Sequence, residues 1–185
     1  EEAKKIEEIY KLKKKILIEF GYCKIDSLIN CYKNFKKNED NKITFLIAPT
    51  WGDSCIINSG KVIKVMDHIK SLGHNIILRP HPITVRDSSD IINKIISRYE
   101  NYSNFTYQPS TDNNQTLMES DVLVSDWSGV AFEFAFGLKK PVLFVDTLRK
   151  IRNIDYDRIG IESFEFYARE IVGEFFNTDK IYTLN

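Results

Sequence analysis

The amino-acid sequence predicts an α/β fold, a doubly wound parallel sheet with helices on both faces. Three observations predict it. Between residues 43 and 145, short apolar runs alternate with stretches of helical periodicity at βα spacing. The runs are apolar throughout, with no polar residue at every second place, so each strand is covered on both faces, as parallel strands are. Polar residues suited to anion chemistry gather where the runs end, and such sheets bind ligands outside the carboxyl ends of their strands.

The first stretch, Glu1 to Lys15, is charge-rich, and Ile6, Ile9, Leu12 and Leu17 give it the narrow apolar stripe of a helix leaning on a surface. It starts with neither Met nor a cap, which suggests a piece of a longer chain. Residues 1–19 are therefore set apart as an amino-terminal helix or inter-domain linker, and residues 20–185 as the domain. Ile16–Tyr22 is an apolar run broken by Gly21, a helix-like segment passes through Ser27-Leu28-Ile29, and Asn34–Asn41 reads as a loop. Strands are expected at Ile43–Ala48, Asn75–Arg79, Phe105–Tyr107, Asp121–Ser125 and Pro141–Val145. One helix is expected over Ser59–Leu72, ended by Gly73. A second, capped within Asp87–Ser89, runs through Tyr99. A short helix at Asn113–Glu119, an apolar one at Val130–Leu138 capped by Gly137, and a helical tail from Ile161 to Phe176 complete the pattern.

With 185 residues the chain can hold one domain with a buried core. Its 26 basic and 26 acidic residues cancel, so nothing in the net charge points to nucleic acid, and any anion site has to come from local placement of donors. Cys23, Cys31 and Cys55 fall in no metal-ligand spacing and read as thiols of a reducing compartment. No apolar run approaches a membrane span, and a cytoplasmic location is expected. GxGxxG, Walker A and HExxH segments are all missing, and no carboxylates cluster near the candidate sites, so neither metal nor cofactor is expected.

Three segments fall at strand exits. Ala48-Pro49-Thr50-Trp51-Gly52-Asp53 makes a tight turn that offers the Thr50 hydroxyl and Trp51, although taken alone it reads as a strand-ending loop. In Leu78-Arg79-Pro80-His81-Pro82, two prolines stiffen the backbone around one histidine. Arg79 can give forked bonds to phosphate oxygens, and His81 can donate to a phosphate or protonate a leaving group. The third segment, Ser125-Asp126-Trp127-Ser128-Gly129, joins a buried strand to an apolar helix. A small hydroxyl residue and a glycine at a helix start suit a phosphate, and Ser128 also suits a plain N-cap. Glu133, four residues beyond Gly129, lies on an apolar helix and needs either an ion-pair partner or a ligand hydroxyl such as a ribose.

In this order, Gly21-Tyr22-Cys23-Lys24-Ile25-Asp26, Ile47-Ala48-Pro49-Thr50-Trp51, Leu78-Arg79-Pro80-His81-Pro82, Asp121 through Val130, Phe132-Glu133-Phe134-Ala135 and Lys140-Pro141-Val142-Leu143-Phe144 resemble the CDP-glycerol glycerophosphotransferase family, the teichoic-acid polymerases and primases. The resemblance spans about residues 20 to 150. It implies the carboxyl-terminal, donor-binding half of a GT-B architecture of two Rossmann-like domains. The implied reaction moves glycerol phosphate, or a related polyol or sugar phosphate, from a CDP-activated donor to a surface polymer. Carried over, His81 contacts or protonates the donor diphosphate with Arg79 beside it, and Ser128 and Gly129 hold the phosphates. Asp126 shapes that turn, Glu133 meets the nucleotide sugar, and Thr50 and Trp51 are further loop contacts. The membrane-linked acceptor and a further catalytic histidine would sit on an amino-terminal domain outside this chain, and the full-length protein would touch the inner face of the membrane. Without that domain the chain is expected to bind donor incompletely and not to turn over.

The family commonly carries Asp-Tyr-Ser-Ser where this chain has Asp126-Trp127-Ser128-Gly129, so one phosphate-binding hydroxyl is missing. Two other readings use the same segments: a GT-B glycosyltransferase or epimerase acting on a UDP- or GDP-sugar, and a non-catalytic interaction module derived from such a transferase.

Overall fold

The computed structural model of the chain describes residues 2–37, 41–109, 114–151, 153 and 155–183. Six strands form one sheet: β1 (Thr44–Ile47), β2 (Asn75–Leu78), β3 (Phe105–Tyr107), β4 (Val122–Ser125), β5 (Val142–Val145) and β6 (Gly173–Phe176). Their order is β3-β2-β1-β4-β5-β6, and each neighbouring pair is parallel. The chain winds outward from β1 to β3, then crosses back to lay β4 on the other side of β1. The winding reverses between β1 and β4, so a crevice opens at their carboxyl ends.

The apolar runs lack alternation because both faces of the sheet carry helices. Successive strand residues point to opposite faces, which sends Ile47, Ile76, Leu78, Val124 and Val145 into one core. There they meet Val62, Val65, Met66 and Ile69 of α3 (Lys61–Ser71) and Ile92, Ile95 and Tyr99 of α5 (Ser89–Tyr99). Leu46, Ile77, Leu123, Val142 and Phe144 enter the second core. It is closed by Leu28 of α2 (Cys23–Lys33), Leu117 of α6 (Gln115–Glu119) and Ala131 of α7 (Val130–Phe132). Phe134 and Leu138, on the π-helical stretch Glu133–Leu138 that continues α7, finish that face.

Several expectations need correction. The first helix, α1, covers Glu2–Ile9 among the described residues and does not run on to Lys15. Lys11 turns left-handed at φ 50, and Lys11 and Lys15 would place like charges one turn apart in a longer helix. The apolar run that follows is neither strand nor core: Ile16 is 92% exposed and Phe20 82%. Gly137 is not the cap of the helix begun by α7. Lys139 turns left-handed at φ 55, while a Cβ on Gly137 would sit 2.9 Å from Leu28 Cδ2, so the glycine serves close approach to α2. The tail divides into α9 (Phe164–Val172) and β6, an edge strand with two exposed positions and no apolar run to announce it. Two short helices, α4 (Pro82–Asp87) and α8 (Tyr156–Ile159), are additional. Part of the expected loop at 34–41 and the start of the helix at 113 lie outside the described residues.

Candidate functional site

The reversal point is stitched by two side chains of the β4 exit. Ser125 Oγ donates to the carbonyl of Ala48 at 2.8 Å, closing β4 on the end of β1. Asp126 is fully buried, and its carboxylate accepts three backbone amides: Thr50 at 2.6 Å and Trp127 at 2.7 Å on Oδ1, and Ile56 at 3.0 Å on Oδ2. Burial pushes this carboxyl upward, and the three amides and the charge of Arg169 pull against it. Asp126 therefore holds the β1 exit loop in place at the floor of the reversal point.

Above this stitch lies a cavity of about 480 Å³, within the range of small-molecule sites. Thr50 and Trp51 line it from the β1 exit, His81 from the β2 exit, and Asp126, Trp127, Ser128 and Gly129 from the β4 exit. His81 begins α4, where its Nδ1 accepts the Ile83 amide at 3.1 Å and Pro82 fills the first helical place. An imidazole that accepts at Nδ1 carries its neutral-state proton on Nε2. The Trp51 ring stands 6.1 Å from it. Gly129, not Ser128, is the residue before α7, and the Ser128 hydroxyl makes no capping bond. The Ser128 and Gly129 amides have no acceptor among the described residues, as at a helix start.

The far wall is cationic and was not visible in the motifs. Lys150 donates to Thr50 Oγ1 at 2.6 Å and lies 4.1 Å from the Trp51 ring. Arg149 pairs with Glu162 and stacks on Phe166 at 4.3 Å. Arg169, on α9, is 4% exposed, with its guanidinium 3.7 Å from the Trp127 ring, 4.6 Å from Phe144 and 4.8 Å from Phe175. Burial lowers its pKa to about 10, against the pull of Asp126 and Asp146. In the sequence Arg169 stands between Ala168 and Glu170 on a helix and looks like any surface arginine; its burial alone sets it apart. Glu2, from α1, reaches the same cavity, and Tyr10 Oη donates to Asn153 Oδ1 at 3.1 Å beside it.

Two expected site residues are elsewhere. Arg79 follows Leu78 and so points to the opposite face, where it is buried and donates to Thr116 Oγ1 at 3.2 Å. Burial lowers its pKa, and the charge of Glu133 raises it. Glu133, 5% exposed, accepts the Tyr22 hydroxyl at 2.7 Å, and Lys24 Nζ lies 2.9 Å from its other oxygen. Neither Arg79 nor Glu133 lines the cavity. The ion-pair alternative for Glu133 is the one the structure realises: the pair ties α2 to the π-helical stretch. Among the described residues no group of three or more His, Cys, Asp or Glu could hold a metal ion, and no helix is long and apolar enough to cross a membrane.

A teichoic acid poly(glycerol phosphate) polymerase of Bacillus spizizenii is 30% identical over 169 residues, covering 83% of this chain and 39% of the relative. A polymerase of the same description from Bacillus subtilis strain 168 is 29% identical over 163 residues, covering 77% of this chain and 21% of the relative. This chain thus spans well under half of either. Among solved structures, a variant of the wall teichoic acid polymerase TagF overlays at a TM-score of 0.44 with 23% identity, over 78% of this chain and 36% of that one. The sequence model of one family, CDP-glycerol:poly(glycerophosphate) glycerophosphotransferase, matches residues 1–150, most of the chain. This protein belongs to that family.

Proposed function

We propose that this chain is the donor-binding half of a GT-B transferase that moves glycerol phosphate, or a related polyol or sugar phosphate, from a CDP-activated donor to a cell-surface polymer. The observation that carries the reading is the cavity at the sheet's reversal point. There His81, the Ser128 hydroxyl and the uncommitted Ser128 and Gly129 amides converge. Amides at the start of a helix favour an anion by direction and by dipole. Family membership and the polymerases' shared description support the polyol phosphate.

In this reading the acceptor hydroxyl forms a bond to the distal phosphorus of the donor while the bridging P–O bond breaks; CMP leaves, and the hydroxyl's proton passes to a base of the second domain. His81, its Nδ1 already occupied by the Ile83 amide, donates an Nε2–H hydrogen bond to the departing phosphate and steadies its charge. The Ser128 hydroxyl and the two amides steady the charge that gathers on the phosphoryl oxygens. The membrane-linked acceptor is assigned to a second domain, and contact of the whole protein with the membrane surface belongs to the same proposal. Glu133 is no longer assigned to the nucleotide.

Isothermal titration of CDP-glycerol against UDP- and GDP-sugars tests the donor; binding of a UDP-sugar alone sinks the CDP reading. His81→Ala in the full-length protein is expected to abolish polymer synthesis. Unchanged synthesis would turn the assignment toward a non-catalytic module.

A further inference from the structure

The cavity holds a buried cation to which no side chain among the described residues is bonded. Arg169 is 4% exposed, its Nε is buried with no hydrogen-bond partner, and it forms no ion pair among the described residues. The faces of Trp127, Phe144 and Phe175 offset part of the cost of taking the guanidinium out of water. Rings accept no strong hydrogen bond, so they leave its donors unmet. The two carboxylates that act on it through space, Asp126 and Asp146, lie beyond ion-pair distance, and Asp126 is turned to three backbone amides. A buried cation left in this state is expensive, and its partner is expected to arrive from outside.

Arg169 lines the same cavity as Ser128 and Gly129 and lies on α9, beyond residues 1–150 that the family model matches. A guanidinium has donors only, arranged as a fork that fits two oxygens of one phosphate. We propose that Arg169 is the principal charge partner of the diphosphate of the bound donor, held by Trp127 and Phe144 in an orientation that an incoming phosphate completes. The inference rests on the transferase reading for the identity of the anion, and on the unpaired guanidinium for the place where it binds.

The test uses inorganic pyrophosphate, CDP, UDP and GDP as probes, with titration calorimetry and thermal unfolding as readouts. The wild-type chain is expected to bind pyrophosphate, more weakly as salt rises, and to melt higher in its presence. Arg169→Met, which keeps the apolar stack, is expected to weaken pyrophosphate and CDP by about tenfold or more, as loss of a charge-assisted bond does. It should also lose the pyrophosphate-induced rise in Tm, yet without ligand melt no lower than wild type, because an uncompensated buried cation has gone. A merely structural arginine gives the reverse pattern, a lower melting point with affinity unchanged, and overturns the proposal. So does failure of the wild type to bind pyrophosphate. Should the Met variant not fold, Arg169→Lys decides: it keeps the charge but not the fork, and unchanged affinity sinks the proposal. If pyrophosphate binding depends on Arg169 but CDP binds no tighter than UDP or GDP, the CDP reading fails and the assignment of Arg169 stands.

Discussion

Replacing Asp126 by Ala separates a scaffold carboxylate from a ligand contact. The side chain is fully buried and accepts the amides of Thr50, Ile56 and Trp127; Thr50 and Ile56 are themselves buried, and Trp127 is half-buried. Each orphaned buried amide costs about 1–3 kcal/mol, so the simple sum is about 3–9 kcal/mol. Removing a buried charge returns part of that, as the burial-driven rise of this carboxyl's pKa indicates. The expected loss is therefore nearer the lower end, about 3–5 kcal/mol, the range for breaking one side of a buried polar pair. Urea unfolding of Asp126→Ala against wild type measures it as a fall in midpoint with little change in slope. Hydrogen exchange should show the Thr50 and Ile56 amides losing protection first. A stability loss below about 1 kcal/mol, with pyrophosphate affinity collapsing, would refute the reasoning and make Asp126 part of the ligand shell.

Three further predictions come from packing and titration. Gly137→Ala sets a Cβ 2.9 Å from the flexible end of Leu28 and should cost about 1–3 kcal/mol by overpacking. Gly173→Ala sets one 2.5 Å from the backbone carbonyl of Val142, which cannot step aside, and should lower the urea midpoint further. The Tyr22 phenol, held by its bond to Glu133 and then by burial, has its pKa pushed up to about 12. A raised folded pKa means that its contribution is fully present below the unfolded value near 10 and is lost as pH rises through about 12. Absorbance titration of Tyr22→Phe should show one late-titrating tyrosine fewer, and its stability should decline less between those two pH values; an unchanged titration curve would deny the Tyr22–Glu133 bond.

The strands were legible because burial on both sheet faces leaves an unbroken apolar signature, as in Phe45-Leu46-Ile47 and Val122-Leu123-Val124. The β1 and β4 exits were legible for a related reason: a parallel sheet whose winding reverses must put its ligand crevice there, and Thr50, Trp51, Ser128 and Gly129 do line it. What stayed hidden depended on which side of the sheet a residue faces and on what it touches. Arg79 and His81 are two residues apart in one stiff segment, yet Arg79 turns to the α6 side while His81 starts α4 beside the cavity. The motif had set the two side by side, and the turn at residues 80–82 that starts α4 is what parts them. β6 was hidden because an edge strand with exposed positions carries no apolar run.

Arg169 was hidden most completely. A charged residue on an amphipathic helix is ordinarily solvated, and nothing in the residues beside it distinguishes this one. Tertiary packing alone brings Trp127, Phe144 and Phe175 around it, with no carboxylate at ion-pair distance among the described residues. The same three elements, the β4 exit, β5 and β6, also close the carboxyl half of the sheet, so assembling that half is what buries the unbonded guanidinium. An anion that binds there should therefore stabilise the β4–β6 half more than the β1–β3 half. Residue-resolved hydrogen exchange with and without pyrophosphate would expose that asymmetry, and equal protection across both halves would contradict it.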